Sequence, residues 1–95
     1  MAPRARPRAT INILFADEFQ KKFKKLPPEI QRLYYTQEKL FRQNWRDPRL
    51  HTKKLIDYPL PFSFRITRRY RVFFIFVDGA TALFATVGHR KDSYK

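Results

Sequence analysis

Tyr70-Arg71-Val72-Phe73-Phe74-Ile75-Phe76-Val77-Asp78-Gly79-Ala80-Thr81-Ala82-Leu83-Phe84-Ala85-Thr86-Val87 is the stretch that decides the fold. Its β-branched and aromatic residues suit a pleated, half-buried surface better than a helix. Residues 70–77 are nearly continuous in apolar side chains, the pattern of a central strand with one covered face. Asp78-Gly79 is a two-residue hairpin turn of the type that matches strand twist, and residues 80–87 form the returning strand. The uninterrupted apolar run Val72 to Val77 is six residues, far short of the ~20 that a membrane-spanning helix needs.

Working outward, residues 62–67 alternate aromatic and polar, which adds a third strand ahead of the hairpin. Residues 44–61 carry turn residues (Asp47-Pro48, Asp57, Pro59, Pro61) around a basic segment and read as a loop with room for one short strand. Upstream lie two helices. Phe15, Phe19, Phe23 and Leu26 recur at helical spacing, with Lys21, Lys22, Lys24 and Lys25 opposite. Asp17, followed by Gln20, has the pattern of a capping box, so the first helix is predicted over about residues 17–25. Pro27-Pro28 stops it and can open the next. Ile30, Leu33, Tyr34, Leu40 and Phe41, with Trp45, make the stripe of a second helix over about 28–43. Residues 10–15 (TINILF) read as a first strand. The predicted order is β-α-α-β-β-β: an α+β fold, an antiparallel sheet packed against a helical hairpin. Residues 1–9 (MAPRARPRA) cannot bury surface and read as a flexible basic arm, leaving one domain over residues 10–95.

Charge narrows the partners. Lysine and arginine number 21 against 8 aspartates and glutamates, a formal net charge of +13. Such an excess predicts a polyanionic partner. The chain contains no cysteine, so a disulfide framework and a thiolate nucleophile are excluded. His51 and His89 stand far apart and the acids are scattered, so no metal-ligand spacing is present and no metal or cofactor is expected. No apolar signal-peptide core follows the basic start, and neither a membrane role nor export is expected; cytoplasm is the expected location.

The candidate chemistry sits at the end of the chain. Gly88-His89-Arg90-Lys91-Asp92-Ser93-Tyr94-Lys95 brings an imidazole, two cations and a phenol to a strand exit, enough for phosphodiester chemistry without a metal. A solvated basic tail is the bland alternative. Arg71, inside an apolar strand, is either a core ion-pair partner or a catalytic cation.

The chain resembles toxins of the RelE/ParE superfamily. The residues that carry the resemblance are Leu26-Pro27-Pro28-Glu29-Ile30, Lys53-Lys54-Leu55, Phe62-Ser63-Phe64-Arg65-Ile66, Tyr70-Arg71-Val72 and Val87-Gly88-His89-Arg90-Lys91-Asp92-Ser93-Tyr94. The similarity spans about residues 10–94, and its specificity lies in the order and spacing of these segments together. It implies one of two activities: cleavage of messenger RNA in the ribosomal A site, as RelE-type toxins do, or poisoning of DNA gyrase by binding, as ParE-type toxins do. On the nuclease reading, Arg71 matches the strand arginine, whose planar guanidinium suits a pentacovalent phosphate. Arg90 matches an arginine that aids the leaving group, and Tyr94 a tyrosine that acts as general base or stacks on a nucleobase. His89 could share that acid/base role, because free imidazole titrates near neutrality. Lys53, Lys54, Arg65 and Lys91 are the candidate RNA contacts. The chain departs from the pattern where RelE enzymes use sheet lysines, here Phe62 and Phe64.

Two registers are open for Arg65. A two-residue turn at Arg68-Arg69 pairs Arg65 with Val72 and turns it away from Arg71. A three-residue turn at residues 67–69 sets Arg65 opposite Arg71. The resemblance also implies a cognate antitoxin, which should be acidic and amphipathic. A non-catalytic basic RNA- or ribosome-binding module is the third reading.

Overall fold

A computed structural model describes residues 10–56 and 59–89. The arm at residues 1–9, Asp57, and the candidate residues Arg90, Lys91 and Tyr94 lie outside the described residues.

Strand β1 (Asn12–Phe15) leads into helix α1 (Asp17–Lys24) and helix α2 (Pro28–Gln43). A single 3₁₀ turn (Pro48–Leu50) and a two-residue strand β2 (Lys53–Lys54) follow. Strands β3 (Phe62–Arg65), β4 (Tyr70–Asp78) and β5 (Thr81–His89) complete a five-stranded sheet in the order β1-β5-β4-β3-β2. The expected α+β order is present. The sheet, however, is mixed rather than wholly antiparallel. The two helices carry the chain from one sheet edge to the other, and β2 to β5 then alternate direction until β5 arrives beside β1 running the same way.

Three local expectations need correction. Ala16, not Asp17, occupies the position before α1, with no side-chain cap; Asp17 and Glu18 fall in the first turn, where their charge complements the helix dipole. The hairpin loop is Gly79-Ala80, one residue later than expected, because Asp78 pairs with Thr81. The Asp78 carboxylate accepts from the Ala80 N–H at 2.8 Å, and no described glycine has a positive φ, so this turn does not use the glycine as a mirror-image turn would. Finally, β5 continues to His89 rather than ending at Val87.

The core is aromatic and lies between the helices and one sheet face. Phe41 of α2 is fully buried. It meets Phe64, Phe74 and Phe84 of three different strands at ring-centroid distances of 5.3, 4.9 and 5.0 Å. Phe19 and Phe23 of α1 pack on Tyr34 of α2 at 5.8 and 5.0 Å. The two helices therefore meet through rings, and the apolar stripes read from the sequence are core except at Phe15 and Leu33, which are exposed. Burial pushes the Tyr34 phenol up, with the Glu38 carboxylate adding to the effect. Among the described residues no helix is long and apolar enough to cross a membrane.

Candidate functional site

Side chains of a strand alternate between faces, and paired residues on neighbouring strands share one. Phe64 pairs with Val72 and Val72 with Val87; all three are buried in the main core cluster. The out-of-phase pairs lie on the opposite face: Lys53 with Ser63, Ser63 with Phe73, Arg65 with Arg71, and Arg71 with Gly88. Of the two open registers, the one that sets Arg65 opposite Arg71 is therefore the one adopted.

The turn between β3 and β4 explains this register. The Ile66 N–H donates to the Tyr70 carbonyl at 2.8 Å. The Thr67 hydroxyl then accepts from the Arg69 and Tyr70 N–H groups at 3.2 and 3.3 Å. A side-chain oxygen that satisfies two turn amides stabilises the wider turn. From the other side, the Gln37 side chain of α2 donates to the Arg65 carbonyl at 2.9 Å. The end of β3 is thus anchored to a helix.

Arg71 is the floor of the site, only 3% exposed. Its Nη1 donates to the Ser63 hydroxyl at 3.2 Å, so the guanidinium is held across β3. Ser63 and Phe73, its register neighbours, are fully buried. Arg65 is half-buried and Lys53 exposed, which grades the cations from interior to rim. Two guanidiniums directly opposite form a like-charge pair, unfavourable in an antiparallel sheet. Ion pairs join Glu18 to Lys22, Glu38 to Arg42 and Asp47 to Arg49.

Two sequence candidates point away from this face. Lys54 pairs with Phe62, one residue out of phase with Lys53, so adjacent lysines serve opposite faces. His89 pairs with Tyr70, and their rings meet edge to face at 5.4 Å. Tyr70 packs against the core; the alternation therefore sets His89 on the core side, while Gly88 is the residue opposite Arg71. His51 lies in the loop after the 3₁₀ turn, where its φ of 50° is the one positive value among the described non-glycine residues. Sequence reasoning missed Ser63 as the residue that positions Arg71. Its spacing two before Arg65, on the polar side of an alternating strand, was the available clue.

Among the described residues no group of histidines or acids could hold a metal ion. What the face can do is bind and polarise an anion. A planar donor from the floor and a second from the adjacent strand suit the two non-bridging oxygens of a phosphate.

No protein-family model matches the chain, and no curated protein matches its sequence. Solved structures do match. A chain of the RelB–RelE antitoxin–toxin complex from Methanococcus jannaschii is 29% identical with a TM-score of 0.67, over 86% of this chain and 95% of that one. A chain of the toxin–antitoxin complex RelBE2 from Mycobacterium tuberculosis is 25% identical with a TM-score of 0.62, over 86% and 93%. The YoeB dimer from Staphylococcus aureus is 20% identical with a TM-score of 0.62, over 86% and 99%. The fold of this chain is the RelE-like toxin fold, in agreement with the resemblance carried by the sequence.

Proposed function

We propose that this chain is the toxin of a type II toxin–antitoxin pair, a metal-independent endoribonuclease that cleaves messenger RNA in the ribosomal A site. The observation that carries the proposal is the cross-strand pair Arg65–Arg71, with Lys53 at the rim of the same face.

In the proposed reaction the 2′-oxygen loses its proton and attacks phosphorus, and the 5′-oxygen leaves with a proton. The products are a 2′,3′-cyclic phosphate and a free 5′-hydroxyl. Arg71, preorganised by Ser63, and Arg65 stabilise the charge that develops on the non-bridging oxygens. Arg90 assists the leaving oxygen, and Tyr94 serves as general base or stacks on a nucleobase, roles taken from the resemblance. Lys53 and Lys91 draw in the RNA backbone. The described register positions of this face hold no group that titrates near neutrality. Weak general-base power fits cleavage that depends on the ribosome for alignment.

The antitoxin proposed with it is acidic and amphipathic. Leu33 and Tyr35 of α2 are exposed apolar side chains at 46% and 58%, and the helical pair also carries Lys21 and Lys24 on α1 and Lys39 on α2, chemistry that such a partner complements.

The test removes residues 90–95, a deletion that leaves β5 whole to His89. A thermal melt establishes that the truncated chain folds. Purified proteins are then given translating ribosomes and, separately, gyrase, and RNA ends and DNA breaks are read. Loss of RNA cleavage and of growth arrest is expected. A folded truncation that still arrests growth, leaves RNA uncut and inhibits gyrase would replace the nuclease reading with that of a gyrase poison.

A further inference from the structure

A cleft of about 380 Å³ opens away from the face that carries Arg71, lined by Trp45, Arg46, His51, Thr52, Lys54 and Phe62 together with the Asp47-Pro48 step. The register separates the two sites: Lys54 and Phe62 pair one residue out of phase with Lys53 and Ser63. Nothing in the proposed cleavage uses this cleft. We infer that it binds one nucleotide, the base against the Trp45–Phe62 wall and the phosphate on Arg46 and Lys54.

The wall is aromatic and closely packed. The Trp45 indole meets Phe62, Phe74 and Phe76 near-perpendicularly at 5.5, 6.4 and 4.9 Å. The Arg46 guanidinium sits over the indole, 4.8 Å from its centroid. Aromatic rings and guanidinium planes are the surfaces on which unstacked bases settle. The cleft volume lies in the range of small-ligand sites.

The charge is cationic and uncancelled within the cleft. Asp47 is the carboxylate in its lining, and its oxygens are already taken by Arg49. Arg49 Nε donates to Oδ1 at 3.0 Å and Nη2 to Oδ2 at 2.8 Å. The Arg49 N–H adds a third bond at 2.9 Å, and these contacts hold the Asp47 carboxyl at about 2. Arg46 and Lys54 are left to face an incoming anion.

The loop is also built in advance. The Thr52 hydroxyl donates to the Trp45 carbonyl at 2.6 Å, and the Asn44 side chain accepts from the Arg46 N–H at 3.1 Å. His51 closes the 3₁₀ turn in the left-handed region with φ 50° and ψ 46°, its N–H donating to the Pro48 carbonyl at 3.1 Å. An aromatic wall without cations would suit an apolar ligand, and cations without the wall would suit any phosphate. Their combination selects an aromatic phosphate.

Trp45 is the single tryptophan of the chain, so its fluorescence reports this cleft alone. The full chain is titrated with AMP, UMP, adenosine, inorganic phosphate and a short single-stranded oligouridylate, with absorbance correction. Saturable quenching by AMP, UMP or the oligonucleotide is expected, with adenosine and phosphate at least about tenfold weaker. Tighter binding of the oligonucleotide than of UMP identifies a strand, and the reverse a free nucleotide. The Arg46→Ala/Lys54→Ala variant should weaken nucleotide binding at least about tenfold. An absence of saturable quenching, or an unchanged affinity in that variant, overturns the inference, as does phosphate alone matching the nucleotides. Arg71→Ala, which removes the proposed cleavage chemistry, should leave the Trp45 response intact, so the two proposals stand or fall separately.

Discussion

Arg65→Glu should make the protein more stable and less active at once. The register sets Arg65 directly opposite Arg71, at the ~5 Å Cβ spacing of cross-strand neighbours. Were the charges themselves that close, an effective dielectric of about 20 would give ~3 kcal/mol, an upper bound because both sit at the ends of long side chains beyond Cβ. Arg65 is only half-buried, and long side chains relax and are screened, which leaves a net gain of about 1 kcal/mol. For a domain of this size that corresponds to a rise in melting temperature of roughly 4–8 °C. Function should move the other way. Losing a preorganised donor costs about 10²–10³ in rate. Replacing a phosphate contact by a carboxylate should lower the log–log salt slope of RNA binding by about 0.7 or more. The assay pairs a thermal melt with salt-dependent RNA binding and a ribosome cleavage reaction. A folded variant that melts lower and keeps its slope and cleavage would refute the claim that Arg65 and Arg71 share one anion site.

Further outcomes are expected from the same geometry. Lys53→Ala should weaken RNA cleavage while Lys54→Ala leaves it near the wild-type rate, because the two side chains serve opposite faces; equal losses in the cleavage assay would contradict the assignment. Phe41→Ala should cost about 3–5 kcal/mol, since that fully buried ring touches three strands; denaturant melts showing under about 1 kcal/mol would mean that the core is not centred there. The Asp47 carboxyl, held at about 2 against its ordinary 3.8 by the Arg49 contacts, contributes stability that is present above about pH 4. That contribution is lost as the pH falls through about 2. A carboxyl titration followed by NMR checks it, and a midpoint near 4 would show that the Asp47–Arg49 contacts do not persist in solution.

Much of this molecule is legible in its sequence. The helical spacing of Phe19, Phe23, Ile30, Tyr34 and Phe41, and the strand run from Val72 to Val77, are local periodicities that a helix or a pleated strand must satisfy whatever surrounds it. The absence of cysteine and the charge of +13 likewise need no tertiary knowledge. These features determined an α+β fold with an aromatic core and a strongly basic chain. Arg71 stood out for the same local reason, as a cation inside an apolar strand.

Pairing across the chain lay beyond that reach. Whether Arg65 meets Arg71 turned on a single residue of turn length, decided by the Thr67 hydroxyl and by Gln37 of a distant helix. That same period of two separated Lys53 from Lys54 and carried His89 to the side of Tyr70. The parallel pairing of β1 with β5 joins segments at opposite ends of the chain, and the cleft at Trp45 is closed by residues from a loop, the 3₁₀ turn and two strands. Local composition sets which elements form, because propensity and amphipathicity act within a few residues. Which side chains converge depends on register and long-range packing, whose energies arise only once distant segments are in contact.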